Sequence, residues 1–208
     1  MKKFDPLDPL GAPVACGPAH LQNTDGVNAS AADGREVLAT TELAIWEMPP
    51  GSRFGLKGEG AGALLEEGGI PLPNEINQAV VADGLTVLRL GSEEFLLDAD
   101  GAVAEHALST HRERLVTCLQ AHPSCLLLPR ETSHIRLRIT GACAPMLLAR
   151  VAQVDLRPSS SPPGKVLQTL MAHVVVVLRV CDAGFDIYVE ASFADYLSDT
   201  LKTIAAAL

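Results

Sequence analysis

At 208 residues and 48% hydrophobic content, the chain is long enough for one domain of two intimate halves or for two small domains, with ample material for a core. A net charge of −9 disfavours general nucleic-acid binding, and 4% aromatic content leaves little for a base-stacking platform. No apolar run approaches the roughly 20 residues of a membrane span. No hydrophobic signal region follows Met1-Lys2-Lys3-Phe4, and five scattered cysteines without a CxxC pair fit structural thiols in a reduced cytoplasm.

Residues 1–36 are rich in Gly, Ala, Pro, Asp and Asn and read as an extended N-terminal arm. Val37–Met48 alternates as a strand. Pro49-Pro50-Gly51-Ser52 signals a turn, and Arg53–Lys57 is expected to return as the second strand of a hairpin. Gly58 ends that strand. Glu59–Glu67 is expected to form a short helix with Leu64 and Leu65 inward, stopped by Gly68-Gly69. Leu85–Leu90 and Phe95–Leu97 form the next hairpin, about Gly91-Ser92, before a helix over Val103–Gln120.

The pattern then restarts. Cys125–Leu128 precedes a strand, Ile135–Ile139, in which Ile135, Leu137 and Ile139 share one face while Arg136 and Arg138 share the other. Ala142–Val151 is a short helix with Pro145 in its first turn. Leu167–Val180 and Phe185–Glu190 make a hairpin about Asp182-Ala183-Gly184. Ser192 is placed as the N-cap of a last helix whose Phe193, Tyr196, Leu197, Leu201 and Ile204 should seal the core.

The two passages state one plan twice. Arg53–Gly58, Leu64-Leu65 and Ile70-Pro71-Leu72 correspond to His134–Gly141, Leu147-Leu148 and Val154-Asp155-Leu156. The expected fold is α+β, with two pseudo-repeated β-α-β-β-α halves over 37–122 and 123–208 forming one compact unit with antiparallel sheets. The charge is uneven. Between Arg130 and Arg179 seven basic residues face two acidic ones, a local +5 that leaves −14 elsewhere. Ordinary solvated arginines or a surface for an anionic ligand or acidic partner both fit. Arg136 and Arg138 are the candidate partner-interface residues.

No catalytic constellation emerges: there is no G-x-S-x-G elbow, P-loop or dinucleotide fingerprint. Gly55–Gly62 opens a helix and admits a bound phosphate, although a plain strand-to-helix turn fits better. Cys143 reads as a small buried residue and Asp155 as a turn carboxylate rather than a general base. The histidines lack metal-ligand spacing. No catalytic or metal-binding residue is assigned, and cofactor-binding residues are left open.

Ile135–Gly141, Leu147-Leu148-Ala149, Val154-Asp155-Leu156, Pro163-Gly164, Gln168-Thr169 and Ser192-Phe193-Ala194-Asp195-Tyr196-Leu197 together resemble the gamma subunit of heterotetrameric sarcosine oxidase. Leu56-Lys57-Gly58 and Leu90–Leu96 agree more loosely. The chain departs from that pattern at Ala191, where the family carries Arg, and at Phe95, where it carries Trp. The resemblance implies a fold like the folate-binding domain of glycine-cleavage aminomethyltransferases. It implies a noncatalytic structural subunit beside alpha, beta and delta partners, with FAD, FMN, NAD, folate and zinc held in those other subunits. A stand-alone folate-binding module or an aminomethyltransferase-like protein is the alternative; the Lys-Gly-Cys-x-x-Gly motif of related folate-dependent proteins is absent.

Overall fold

The computed structural model describes residues 34–51 and 53–208. The arm expected over 1–36 lies outside the described residues except for its last three. Of these, Arg35 and Glu36 belong to the first strand, β1 (Arg35–Ala39).

The remaining elements follow in chain order: β2 (Ala44–Met48), β3 (Phe54–Lys57), α1 (Ala61–Glu67), β4 (Gln78–Ala82), β5 (Leu85–Gly91), β6 (Glu94–Ala99) and α2 (Ala102–Cys118). Then come β7 (Leu126–Pro129), β8 (His134–Thr140), α3 (Ala144–Val151), β9 (Val166–Met171), β10 (Val174–Cys181), β11 (Gly184–Glu190) and α4 (Ala194–Ala205). Two sheets form, a six-stranded one ordered β1-β2-β8-β11-β10-β9 and a five-stranded one ordered β4-β5-β6-β3-β7. The strand pairings are antiparallel throughout.

Alternation along the strands sets four layers. In the larger sheet Ile45, Leu137, Ile139, Leu178 and Ile187 face α3 and α4, meeting Leu147, Leu148, Leu197 and Leu201. In the smaller sheet Phe54, Leu56, Val87, Phe95 and Leu97 face α1 and α2, meeting Leu64, Leu65, Leu108 and Leu115. The opposite faces of the two sheets close on each other around Leu88, Leu96, Val166 and Tyr188.

The hairpin expected between Val37–Met48 and Arg53–Lys57 does not form. β2 pairs with β1 and β8, whereas β3 pairs with β6 and β7. Pro49 and Pro50 have no N–H to continue a ladder, and the chain uses them to leave one sheet for the other. β7 makes the reciprocal move: it follows α2 and joins β3 in the first half's sheet. The first half thus lends β1 and β2 to the second half's sheet, and the second half lends β7 to the first's.

Two glycines make the exchange possible. Gly58 (φ +126°) and Gly141 (φ +108°) sit at matching strand-to-helix junctions, where the lead-in to the lent strand crosses. A Cβ on Gly58 would stand 1.8 Å from the Ser124 carbonyl oxygen, and one on Gly141 would stand 2.3 Å from that of Glu42. No side chain fits either place.

Three further expectations change. The run Leu167–Val180 breaks into β9 and β10 at Ala172 and His173, which take φ of 48° and 70°. β4 precedes β5, turning at Asp83-Gly84, so the second half is β-β-α-β-β-β-α and the first is the same with β1 added in front, rather than β-α-β-β-α. Ser192 lies in a short 3-10 turn instead of capping α4, and Phe193 and Tyr196 are exposed rather than in the core. α4 starts at Ala194, so its inward face is Ala194, Leu197, Ser198 and Leu201.

Candidate functional site

The most unusual chemistry lies between the sheets. Arg53, Asp98, Arg136, Asp186 and Arg179 are all buried there. They are joined by Asp100 and Arg138 into one alternating chain. Arg53 Nη2 donates to Asp98 at 3.3 Å, and Arg136 Nη1 donates to the same carboxylate at 2.8 Å. Arg136 also bonds Asp100, which accepts from Arg138 Nη2 at 3.1 Å. Arg138 Nε then donates to Asp186 at 2.7 Å, and Arg179 closes the series on Asp186 while reaching the Thr86 hydroxyl at 3.4 Å. The chain has arginine at both ends. At the first end, the Arg53 guanidinium lies over the Tyr188 ring, 5.4 Å from its centre.

The electrostatics favour full ionisation. Burial alone would raise the Asp186 pKa, but the hydrogen bonds from Arg138 and the charge of Arg179 outweigh it and hold the carboxyl well below the ordinary carboxylate range. Asp100 is lowered in the same way, burial being outweighed by Arg136 and Arg138. Burial also works against the charge on Arg136, and Asp98 more than offsets it. Such a chain is costly to desolvate and costly to break. It serves register, since its members come from β6 and the residue after it, β8, β10, β11 and the residue before β3.

The second face of the Arg136–Arg138 strand is therefore packed inside this protein and met by its own aspartates. The local +5 is not a surface patch: Arg136, Arg138 and Arg179 are internal, Arg157 pairs with Asp155, and Arg150 and Lys165 donate to the Ala207 and Ser160 carbonyls.

Other sequence candidates have structural places. Asp155 accepts from the Arg157 amide at 3.0 Å and the Ser160 hydroxyl at 2.7 Å; the hydrogen bond from the Arg157 side chain, then that from Ser160, hold its pKa low. It organises a turn. Cys143 is buried at the start of α3. At the glycine-rich segment, the Gly62 amide donates to the Glu93 carboxylate at 3.1 Å, so an acid of this chain already occupies the place a phosphate would take.

Among the described residues, clefts open to solvent at two places that matter for function. One, about 430 Å³, runs along α2 and is lined by Arg53, Glu105, Arg112, Glu113 and Glu131, with Arg112 3.4 Å from Glu131. The other, about 130 Å³, opens where the sheets part, among Leu90, Leu96, Leu128, Arg130, His134 and Val177. The second is well below the roughly 300–1,000 Å³ of a typical small-molecule site. Burial, then the Arg130 charge, lowers the His134 pKa to about 4, so its imidazole is neutral at neutral pH.

Sequence reasoning missed Asp98, Asp186, Arg53 and Arg179. The signal was present in Leu96-Leu97-Asp98 and Phe185-Asp186-Ile187: a lone acid on the second face of an apolar strand marks a sheet covered on both sides.

The profile of the sarcosine oxidase, gamma subunit family matches residues 60–207. The chain belongs to that family. It is 28% identical over 175 residues to sarcosine oxidase subunit gamma of Corynebacterium sp. (strain P-1), covering 82% of this chain and 78% of that one. It is 27% identical over 154 residues to the Arthrobacter sp. subunit, covering 74% and 69%. The fold is similar to that of a chain in heterotetrameric sarcosine oxidase from Corynebacterium sp. U-96 in complex with pyrrole 2-carboxylate (TM-score 0.69, 24% identity, 86% and 90% covered). It is also similar to glycine cleavage system aminomethyltransferase T from Bartonella henselae (TM-score 0.56, 16% identity, 77% and 45% covered). The expected α+β, aminomethyltransferase-like architecture is the one found.

Proposed function

We propose that this chain is a noncatalytic structural gamma subunit of a heterotetrameric, sarcosine-oxidase-type flavoenzyme that oxidatively demethylates sarcosine or a related N-methyl amine. The observation that carries the reading is the family match over 60–207. A second supports it: the layer between the halves is filled by Leu88, Leu96, Val166, Tyr188 and an Arg–Asp chain whose charges pair with one another, which are the marks of a rigid frame. The partners are alpha, beta and delta subunits holding the flavins, NAD, folate and zinc, and the complex works in the cytoplasm.

The test is co-expression of the four subunits with and without this chain. The complete set is expected to yield a yellow complex that oxidises sarcosine. Omission should cost assembly, and the chain purified alone should be colourless and inactive. Turnover or flavin absorbance in the lone chain contradicts the reading. The folate-module alternative would instead show saturable folate binding by the lone chain.

A further inference from the structure

The layer between the sheets has a sealed end and an open one. At the open end, cross-strand register places three large aliphatic side chains on the inter-sheet faces with nothing over them. Leu126 pairs with Lys57, in step with Gly55 and Leu128 on that face; Val175 pairs with Leu170, two residues from Val177. Their exposures are 61% for Leu126, 73% for Val175 and 46% for Leu170. Isolated exposed aliphatics are ordinary, but three on the inward-turned faces of the two sheets, where a core would continue, are not.

At the floor of that trough lies Arg130, half-buried. Its Nη1 is 3.4 Å from the ring nitrogens of His134, and among the described residues it makes no ion pair. A neutral imidazole does not neutralise it. The cleft's own carboxylate, Glu94, is held by Lys57 at 2.8 Å, so Arg130 among Leu90, Leu96, Leu128 and Val177 calls for a carboxylate from outside.

We infer that this trough is a docking surface for a segment of another subunit of the complex, one that lays aliphatic side chains on Leu126, Leu170 and Val175 and delivers an Asp or Glu carboxylate to Arg130. The inference rests on the reading of the chain as a subunit. The occupant's charge is set by Arg130 and its apolar character by the three uncovered aliphatics. The 130 Å³ floor fits one side chain rather than a cofactor.

The experiment is capture of the co-expressed partner subunits by tagged full-length chain, comparing native protein with Val175→Glu, Arg130→Glu and a control, Val103→Glu. Val103 is 85% exposed on α2, outside the trough. Each trough variant is expected to recover at least tenfold less partner while melting, alone, within a few degrees of native; the control should capture normally. The unpaired backbone amides of the edge strands β7 and β9 should also exchange more slowly in the complex than in the lone chain. If the native chain captures partners and the trough variants do so equally, the docking surface is wrong and the subunit reading stands. If the native chain captures no flavoprotein partner, the subunit reading itself fails. Slow exchange at the unpaired amides of β7 and β9 already in the lone chain, abolished by deleting residues 1–33, would show the chain's own N-terminal segment in the trough and overturn the proposal. So would protection that appears only as the lone chain dimerises.

Discussion

The two ends of the inter-sheet layer are built on the same two sheets and solve opposite problems. At the sealed end Arg136, Arg138 and Arg179 each reach an aspartate of this chain, and Asp98 and Asp186 are fully buried. At the open end Arg130 has a neutral histidine for company and three aliphatics face water. The contrast shows what the frame provides for itself and what it leaves to a neighbour. Charges that fix register are paired internally, although the Arg136 and Arg179 Nε and the Tyr188 hydroxyl find no hydrogen-bond partner there, and the unpaired Arg130 and the uncovered aliphatics lie at the other mouth.

Both ends depend on the lent strands, so the largest effect should come from the junctions. Gly58→Ala and Gly141→Ala each drive a Cβ into a backbone carbonyl and are expected to cost more than about 5 kcal/mol, enough to leave no cooperative melting transition. A variant that melts near the native temperature would show the crossings to be loose.

Within the sealed end, Asp98→Ala leaves Arg53 and Arg136 buried without their shared acceptor. A loss of about 3–5 kcal/mol is expected in denaturant titration, and Arg136→Ala should lose a similar amount. Losses under about 1 kcal/mol would mean the chain of charges is solvated.

Acid should distinguish the ends further. Asp100 and Asp186 titrate below their ordinary value of 3.8 when folded, so the unfolded chain takes up protons first. The stability they carry is complete above about pH 4 and is lost as the pH falls below it. At the open end His134 is depressed from 6.5 to about 4, so its contribution is full above about pH 6.5 and is lost as the pH drops toward 4. Because His134 is only half-buried, water screens the effect, leaving about 1–2 kcal/mol. His134→Gln should therefore flatten the melting profile between pH 4 and 6.5 and spare the steeper limb below it. A profile unchanged by the substitution would place His134 in water.

The smallest change is expected at the rim. Lys57 pairs with Glu94 at 2.8 Å in the open, and Lys57→Ala should shift stability by no more than about 0.5 kcal/mol.

Much of this was legible in the chain. Leu64-Leu65 and Leu147-Leu148 announced α1 and α3, and the alternation of Ile135, Leu137 and Ile139 gave the true facing of β8. What periodicity could not supply was the identity of the neighbour. Pro49-Pro50-Gly51 signals a change of direction equally well for a hairpin and for a passage between sheets, and only the long-range pairing of β2 with β8 separates them. The turn at Ala172-His173 was invisible because neither residue is a usual choice for positive φ. Arg136 and Arg138 were placed on the correct face, but their role turned on Asp98, Asp100 and Asp186, which are 36 to 48 residues from the arginines they bind and reach them only through the fold.

The most direct measurement is the native mass and absorbance of whatever tagged chain draws from cells that also express the alpha, beta and delta subunits. A single species with one copy of each subunit and a flavin spectrum is the expected result. Recovery of the 21.9 kDa chain alone, colourless and monodisperse beside abundant partners, would contradict the account.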